Sequence, residues 1–292
     1  MSGSQSKASG SAGGYLLDFE DFTFNNLDPV PVRFIRPEEL VLGDFAGAIR
    51  WHYDEQKEPH EADFRVFSHL TGSGEVFLDV GANIGNSVAS FRKFNRQAKV
   101  VSFEPCPWLE PALAWLKRKE LDRFDYYMVG AGSRSEVKQL WIPCLDNVPI
   151  FYLASFVAER FGPDPAAIGA MKQLMGFTPP NVYGVCNVDV RLEPVDSFEL
   201  NPSIVKIDSE QYEFEVLQGM ERTIGSWRPL IMIEGGNRHT SIRTFFEAHD
   251  YDFAERMDTK LCCTKLECAG DNGFFLARER IPAYVACGLL VL

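Results

Sequence analysis

The apolar positions change rhythm several times along the chain, and each change predicts an element. From Tyr15 to about Glu58 they are irregular, with Phe19, Phe22, Phe24 and Phe34 spaced as in short strands or loops. This stretch (15–58) predicts an N-terminal extension over a main domain at 59–292. Across His60–Leu70, Phe64, Phe67 and Leu70 recur every third residue, the spacing of one buried helix face. Strands and helices then alternate. Val76–Val80, Lys99–Phe103, Asp125–Val129, Ser203–Ile207 and Leu230–Ile233 are short apolar runs and read as buried strands. Val137–Ile142 alternates and predicts another strand; Tyr251–Glu255 and Gly273–Ala277 complete the set. Asn86 and Ser87 can cap a helix with Val88, Phe91 and Phe94 inward. Further helices are expected over Trp108–Leu121, Glu213–Ile224 and near Ser241–His249.

Continuous apolar strands separated by helices predict an α/β fold, with a mostly parallel sheet covered on both faces. The late strands, joined without a long helix, predict an antiparallel edge. Residues 143–187 interrupt the alternation with Pro143, Pro149, Pro163, Pro165, Pro179 and Pro180 around helix-like pieces near 151–161 and 166–175. They predict a lid-like insertion over one end of the sheet. The opening MSGSQSKASGSAGG (1–14) is Ser/Gly-rich and reads as a disordered leader or an expression remnant. Ile281–Leu292 is apolar but shorter than the ~20 residues a bilayer span needs, so it should pack on the body.

Composition narrows the function classes. A net charge of −12 in 292 residues opposes nonspecific binding to nucleic acid or anionic membrane, which requires a basic face. The seven cysteines are odd in number, and Cys262, Cys263 and Cys268 lack the CxxC spacing of zinc or redox sites. Reduced thiols and a cytoplasmic location are the expectation.

The chemistry concentrates where the first strand ends. VFLDVGANIGNS, 76–87, runs from an apolar strand into a glycine-spaced loop. A triphosphate loop would carry GxxxxGK[ST], and no lysine follows Gly85. A dinucleotide loop would carry GxGxxG, but Asn83 stands where the second glycine lets backbone approach a pyrophosphate. S-adenosylmethionine has no phosphate, and its amino-acid end tolerates polar neighbours such as Asp79 and Asn83. Glu104, directly after the second strand, can accept hydrogen bonds from ribose hydroxyls, a demand shared by NAD and S-adenosylmethionine. The loop therefore favours S-adenosylmethionine, with a NAD-dependent oxidoreductase the weaker alternative.

VFLDVGANIGNSVASF, VVSFEP, IVKIDSEQYEFEVLQGMERTI and RPLIMIE together resemble the FkbM family of S-adenosylmethionine-dependent methyltransferases, from roughly His60 to Ala277. The resemblance implies a class I Rossmann-like methyltransferase fold with a mostly parallel seven-stranded sheet. It implies O-methylation of a sugar, glycan or natural product, leaving S-adenosylhomocysteine as the cofactor product. An N-methyltransferase and a non-catalytic adenosine-cofactor-binding protein are the alternatives. Carried over residue by residue, Asp79, Gly81, Asn83 and Gly85, with Ala82 and Asn86 beside them, would form the methionine-side loop. Glu104 would hold the ribose, next to Pro105, and the Gly130-Ala131 turn would lie near adenine. Family members usually have glycine after Asp-x-Glu, where this chain has Gln211. If that glycine admits substrate to the backbone, Gln211 narrows the site.

Methyl transfer to a hydroxyl requires alignment, exclusion of water and removal of a proton. Asp208 ends the fourth strand and is expected to serve both cofactor and catalysis. Glu234 ends the fifth and is a second catalytic candidate. His239 is the candidate base, because an unperturbed imidazole titrates near ~6.5. Glu210, Glu213 and Asn237 are candidate acceptor contacts, although Glu210 and Glu213 also suit the first turn of a helix. Asp208, Glu234 and Asn237 offer oxygen ligands to a divalent ion. That reading is not favoured, because carboxylates at strand ends are common in such folds.

Overall fold

The computed structural model describes residues 33–72, 74–161 and 182–291. The expected 1–14 leader and the helix-like piece near 166–175 lie outside them. A nine-stranded sheet forms the centre. Its strands in chain order are β1 (Val76–Val80), β2 (Lys99–Phe103), β3 (Phe124–Tyr127), β4 (Ile204–Ile207) and β5 (Leu230–Glu234). β6 (Tyr251–Met257), β7 (Lys260–Cys263), β8 (Asn272–Ala277) and β9 (Leu290–Val291) follow. Across the sheet they lie in the order β9-β7-β6-β8-β5-β4-β1-β2-β3. β3, β2, β1, β4 and β5 are parallel, and β8 runs antiparallel between β5 and β6. Those seven strands make the expected sheet; β7 extends its antiparallel edge, and β9 adds a parallel strand beyond β7. β9 belongs to the apolar C-terminal segment, which packs on the body with Leu289 and Leu290 buried.

Alternate residues of each strand supply two cores. Phe77 joins Phe64, Phe67 and Phe91 on one face, while Leu78 and Val80 join Val205, Ile207, Val216 and Leu217 on the other. Phe77 stacks on Phe91 at 4.4 Å. The helices are α1 (Phe45–Asp54), α2 (Asn86–Phe91), α3 (Glu110–Glu120), α4 (Glu213–Gln218), α5 (Glu221–Trp227), α6 (Thr240–Ala248) and α7 (Ile281–Ala286).

Four local outcomes differ from the sequence pattern, each for a physical reason. α1 lies within the stretch expected to be irregular: Asp44 caps it, accepting from the Gly47 amide at 2.8 Å, and Ile49 is its one buried residue. The every-third-residue pattern near His60 is a 3₁₀ helix, Ala62–His69, whose three-residue turn brings Phe64 edge-to-face with Phe67. Gly85, not Asn86, caps α2, in a left-handed conformation. The helix expected over Glu213–Ile224 breaks into α4 and α5, because the Gly219 carbonyl accepts from Asp196 and a Cβ there would stand 1.9 Å from the Gly132 carbonyl oxygen.

The segment between β3 and β4 builds a second, five-stranded sheet. Glu136–Leu145 and Tyr183–Glu193 pair antiparallel along their length. Val137–Ile142 is thus a strand, but it belongs to this smaller sheet. Arg33–Phe34, Val148–Pro149 and Gly130–Ala131 complete it. Short 3₁₀ turns at Phe151–Leu153 and Ala158–Phe161 stand in place of the helix-like piece near 151–161.

Candidate active site

Strand order reverses between β1 and β4, and a cavity of about 410 Å³ opens beyond their carboxyl ends. Open parallel sheets bind ligands at this switch point, and small-molecule sites span ~300–1,000 Å³. The loop after β1 forms one wall. Gly81, Asn83 and Gly85 have φ of 83°, 51° and 96°. A Cβ at Gly81 would lie 1.7 Å from the Asp208 carbonyl oxygen, so only glycine lets the two turns touch. The Gly81 and Ala82 amides donate to the Phe103 carbonyl at 3.0 and 3.1 Å, tying the loop to β2. The Glu104 carboxylate completes the tie, accepting from the Asn83 amide at 2.7 Å and the Cys106 amide at 2.8 Å. Burial pushes the Glu104 carboxyl up to about 7, against the opposing pull of those amides.

Beneath the cavity lies a buried charge. Lys206 is 1% exposed, and its Nζ stands 2.7 Å from Asp208 Oδ2. In the sheet it pairs in register with Asp79, which is fully buried and accepts from Ser102 Oγ at 3.0 Å. Burial disfavours the Lys206 ammonium, yet Asp208, Glu61 and Asp79 around it outweigh that and raise its pKa. Burial likewise opposes the Glu61 carboxylate, but Lys206, His60 and Asn272 overcome it and hold Glu61 at about 2.

A cluster of acids closes the other end. One carboxylate oxygen from each of Asp208, Glu210 and Glu234 lies within 4.8 Å of the others. Burial, reinforced by Asp208, lifts Glu210 to about 7 even though Arg160 Nη1 sits 2.7 Å from its carboxylate. Burial and the surrounding acids push Glu234 well above the usual carboxylate range. Lys206 and Arg160 already offset two of the three acids.

Glu210 and Gln211 both adopt left-handed backbone, with φ of 53° and 76°. Ser155 Oγ donates to the Glu210 carbonyl at 2.6 Å, and Glu213 Oε1 accepts from the Ser209 and Gln211 amides at 3.1 Å each. Gln211 is exposed and is not among the residues lining the cavity. Gln211 therefore does not narrow the cavity.

The structure brings together most, but not all, of the residues singled out from sequence. Gly81, Ala82, Asn83, Asn86, Glu104, Pro105, Ala131, Asp208 and Glu210 line the cavity. Glu213 is buried and spent on its own turn. Asn237 is turned elsewhere: its amide donates to the Leu266 carbonyl at 2.9 Å and accepts from the Cys268 amide at 2.7 Å. His239 is exposed at the N-cap of α6 and does not line the cavity. Sequence reasoning missed Glu61, Lys206 and Arg160. A lysine inside the apolar run SIVKI was the one local signal for Lys206.

The donor set suits a polar, phosphate-free cofactor. Asp79 Oδ1 and Asn86 Oδ1 are buried acceptors without a hydrogen-bond partner, so a ligand carrying N–H or O–H donors complements them. The lining also includes Leu140, Phe151 and Phe156, apolar surface suited to a nucleobase.

Sheet order, glycine loop and adjacent acid define an open Rossmann-like α/β fold with its cavity at the strand switch point. The Methyltransferase FkbM domain model matches residues 79–253, and the chain belongs to the FkbM methyltransferase family. Among solved structures it is similar to Methyltransferase FkbM from Methylobacillus flagellatus KT, at 17% identity and TM-score 0.44, covering 82% of this chain and 56% of that one. The present chain thus spans little more than half the length of that protein. Precorrin-6y C5,15-methyltransferase from Geobacter metallireducens GS-15 matches at 11% identity and TM-score 0.38, covering 84% of this chain and 97% of that one. Streptococcus pneumoniae Sp1610, solved in complex with S-adenosyl-L-methionine, matches at 11% identity and TM-score 0.35, covering 74% of this chain and 71% of that one. No curated protein matches the chain.

Proposed function

We propose that this methyltransferase uses S-adenosylmethionine to methylate a hydroxyl of a sugar, glycan or natural product. The observation that carries the reading is one cavity joining the glycine loop and Glu104 to the carboxyl groups of Asp208 and Glu210. Asp79, Gly81, Ala82, Asn83, Gly85 and Asn86 would hold the amino-acid end of the cofactor. Glu104 would accept from the ribose hydroxyls, beside Pro105 and Ala131. When bound, the cofactor supplies a methyl group activated on a sulfonium.

The chain's own task is to hold the acceptor and take its proton. Glu210, with its carboxyl near 7, is matched to proton acceptance at neutral pH. Glu234 does not line the cavity; it borders Asp208 and Glu210 in the acid cluster and acts on the acceptor only through them. Asp208, paired with Lys206, stands between the cofactor loop and these acids. His239 takes no part, because it lies outside the cavity. The segment that follows the smaller sheet's Val148–Pro149 strand, whose Ile150, Phe151, Tyr152 and Ala154 line the cavity, acts as the lid. No metal is assigned to the acid cluster, since two of its members already face cations.

No helix among the described residues is long and apolar enough to cross a membrane. The free cysteines support a reducing, cytoplasmic setting, and the net charge of −12 supports a small-molecule or glycan partner over nucleic acid. Calorimetry tests the reading: S-adenosylhomocysteine binds at micromolar strength and NAD does not. The reverse ranking ends it.

A further inference from the structure

We propose that Lys206 is a positioning residue whose buried ammonium holds Asp208, Asp79 and Glu61 together as a carboxylate floor under the cofactor cavity. The inference deepens the cofactor reading and uses its ligand as one probe, but its first test needs no ligand.

Three elements converge on this one cation. Asp208 follows β4 and meets Lys206 Nζ at 2.7 Å. Asp79 stands in register on β1, and alternation along both strands puts the two side chains on the same sheet face, the face that also carries Phe77 and Ile204. Glu61 arrives from the segment before the 3₁₀ helix, held by Asn272 Nδ2 at 2.9 Å and His60 Nε2 at 3.1 Å. Lys206, Glu61 and Asp208 all line the cavity. Glu210, Glu213 and Glu234 add further negative charge to Asp208 from the turn, α4 and β5. Arg160 is engaged with Glu210, and Glu104 faces the group from the β2 side. Removing a cation from such a set leaves buried carboxylates opposed only by one another, and they take up protons instead.

The pH dependence follows from Glu61, whose carboxyl is held at about 2 against an ordinary 4.5. A depressed carboxyl contributes stability that is present above its unfolded value and is lost as pH falls toward the folded one. Lys206→Met removes that contribution, so its cost appears above about pH 4.5 and fades in acid. A lysine that merely filled space would cost the same at every pH.

Thermal unfolding of the ligand-free chain is measured for wild type, Lys206→Met, Lys206→Arg and the charge-balanced pair Lys206→Met/Asp208→Asn, from about pH 2.5 to 7, a range that spans the Glu61 titration. The Lys206→Met deficit widens with pH, the arginine variant narrows it, and the double variant widens less than the single one. Parallel curves for wild type and Lys206→Met overturn the proposal. If Lys206→Met does not fold at any pH, folding of the double variant supports the proposal and its failure to fold overturns it. In calorimetry at pH 7, S-adenosylhomocysteine affinity falls about tenfold in Lys206→Met and returns to within about threefold of wild type in Lys206→Arg. If wild type itself fails to bind, the cofactor reading falls, while the stability curves still decide the role of Lys206.

Discussion

Two turns leave neighbouring parallel strands and touch at Gly81 and Asp208, yet they are made from opposite materials. The turn after β1 reaches positive φ with Gly81 and Gly85, and between them with Asn83, whose backbone Glu104 holds, and it needs support at only a few points. The turn after β4 reaches it with Glu210 and Gln211, residues that resist that conformation, and is held by Ser155, Arg160 and Glu213. The first is a surface shaped by missing side chains. The second is a set of acids whose backbone is held under strain from outside. A site that needs close approach on one side and clustered carboxyl groups on the other cannot use one kind of turn for both.

The contrast breaks most sharply at Gly81. Gly81→Ala places a methyl group 1.7 Å from the Asp208 carbonyl oxygen at a φ of 83°, so both turns must move. Denaturant unfolding should show a loss of ~3 kcal/mol or more, and an unchanged midpoint contradicts the contact. Next in size is Glu104→Ala, which should weaken S-adenosylhomocysteine binding by ~1.5–3 kcal/mol through loss of charge-assisted hydrogen bonds. Undiminished affinity removes Glu104 from the ribose.

The two turns also share a dependence on pH. Glu104 and Glu210 both rise from 4.5 to about 7 in the fold. Raised carboxyls contribute stability that is complete below the unfolded value and drains as pH climbs through the folded one. The ligand-free protein should lose on the order of 2 kcal/mol between about pH 5 and 8, and Glu104→Gln should flatten part of that slope. A flat wild-type profile contradicts both shifts. The smallest expected effect is Gln211→Gly, which relieves a φ of 76°. Net of the entropy glycine adds to the unfolded chain, it should gain about 0.5 kcal/mol. A loss would mean that the Gln211 side chain supports the turn.

The sequence was most readable where chemistry is local. DVGANIG and Glu104 announce the first turn because glycine spacing, strand and acid all lie within one strand–helix–strand unit. Asp208 and its neighbouring acids were visible at a strand end for the same reason. Their partners were not. Lys206 acquires its meaning from register with Asp79 on another strand, and Arg160 from a 3₁₀ turn 50 residues before the Glu210 it meets. His239 and Asn237 misled because proximity to a strand end does not fix side-chain direction. Asn237 is consumed by the 266–268 backbone, and His239 is exposed at the start of α6. α1 was hidden because one aspartate cap and one buried isoleucine leave little periodicity to find.

The walls of the cavity are gathered from Phe45 through Glu210, and β4 enters the sheet against β1 only after the whole smaller sheet has been synthesised. While the chain is still emerging from the ribosome, Asp79 has no Lys206 beside it and the Gly81 turn has nothing to lean on. The pocket is therefore a late product of vectorial synthesis. Its ligand can reward completion of the fold but cannot template its early steps.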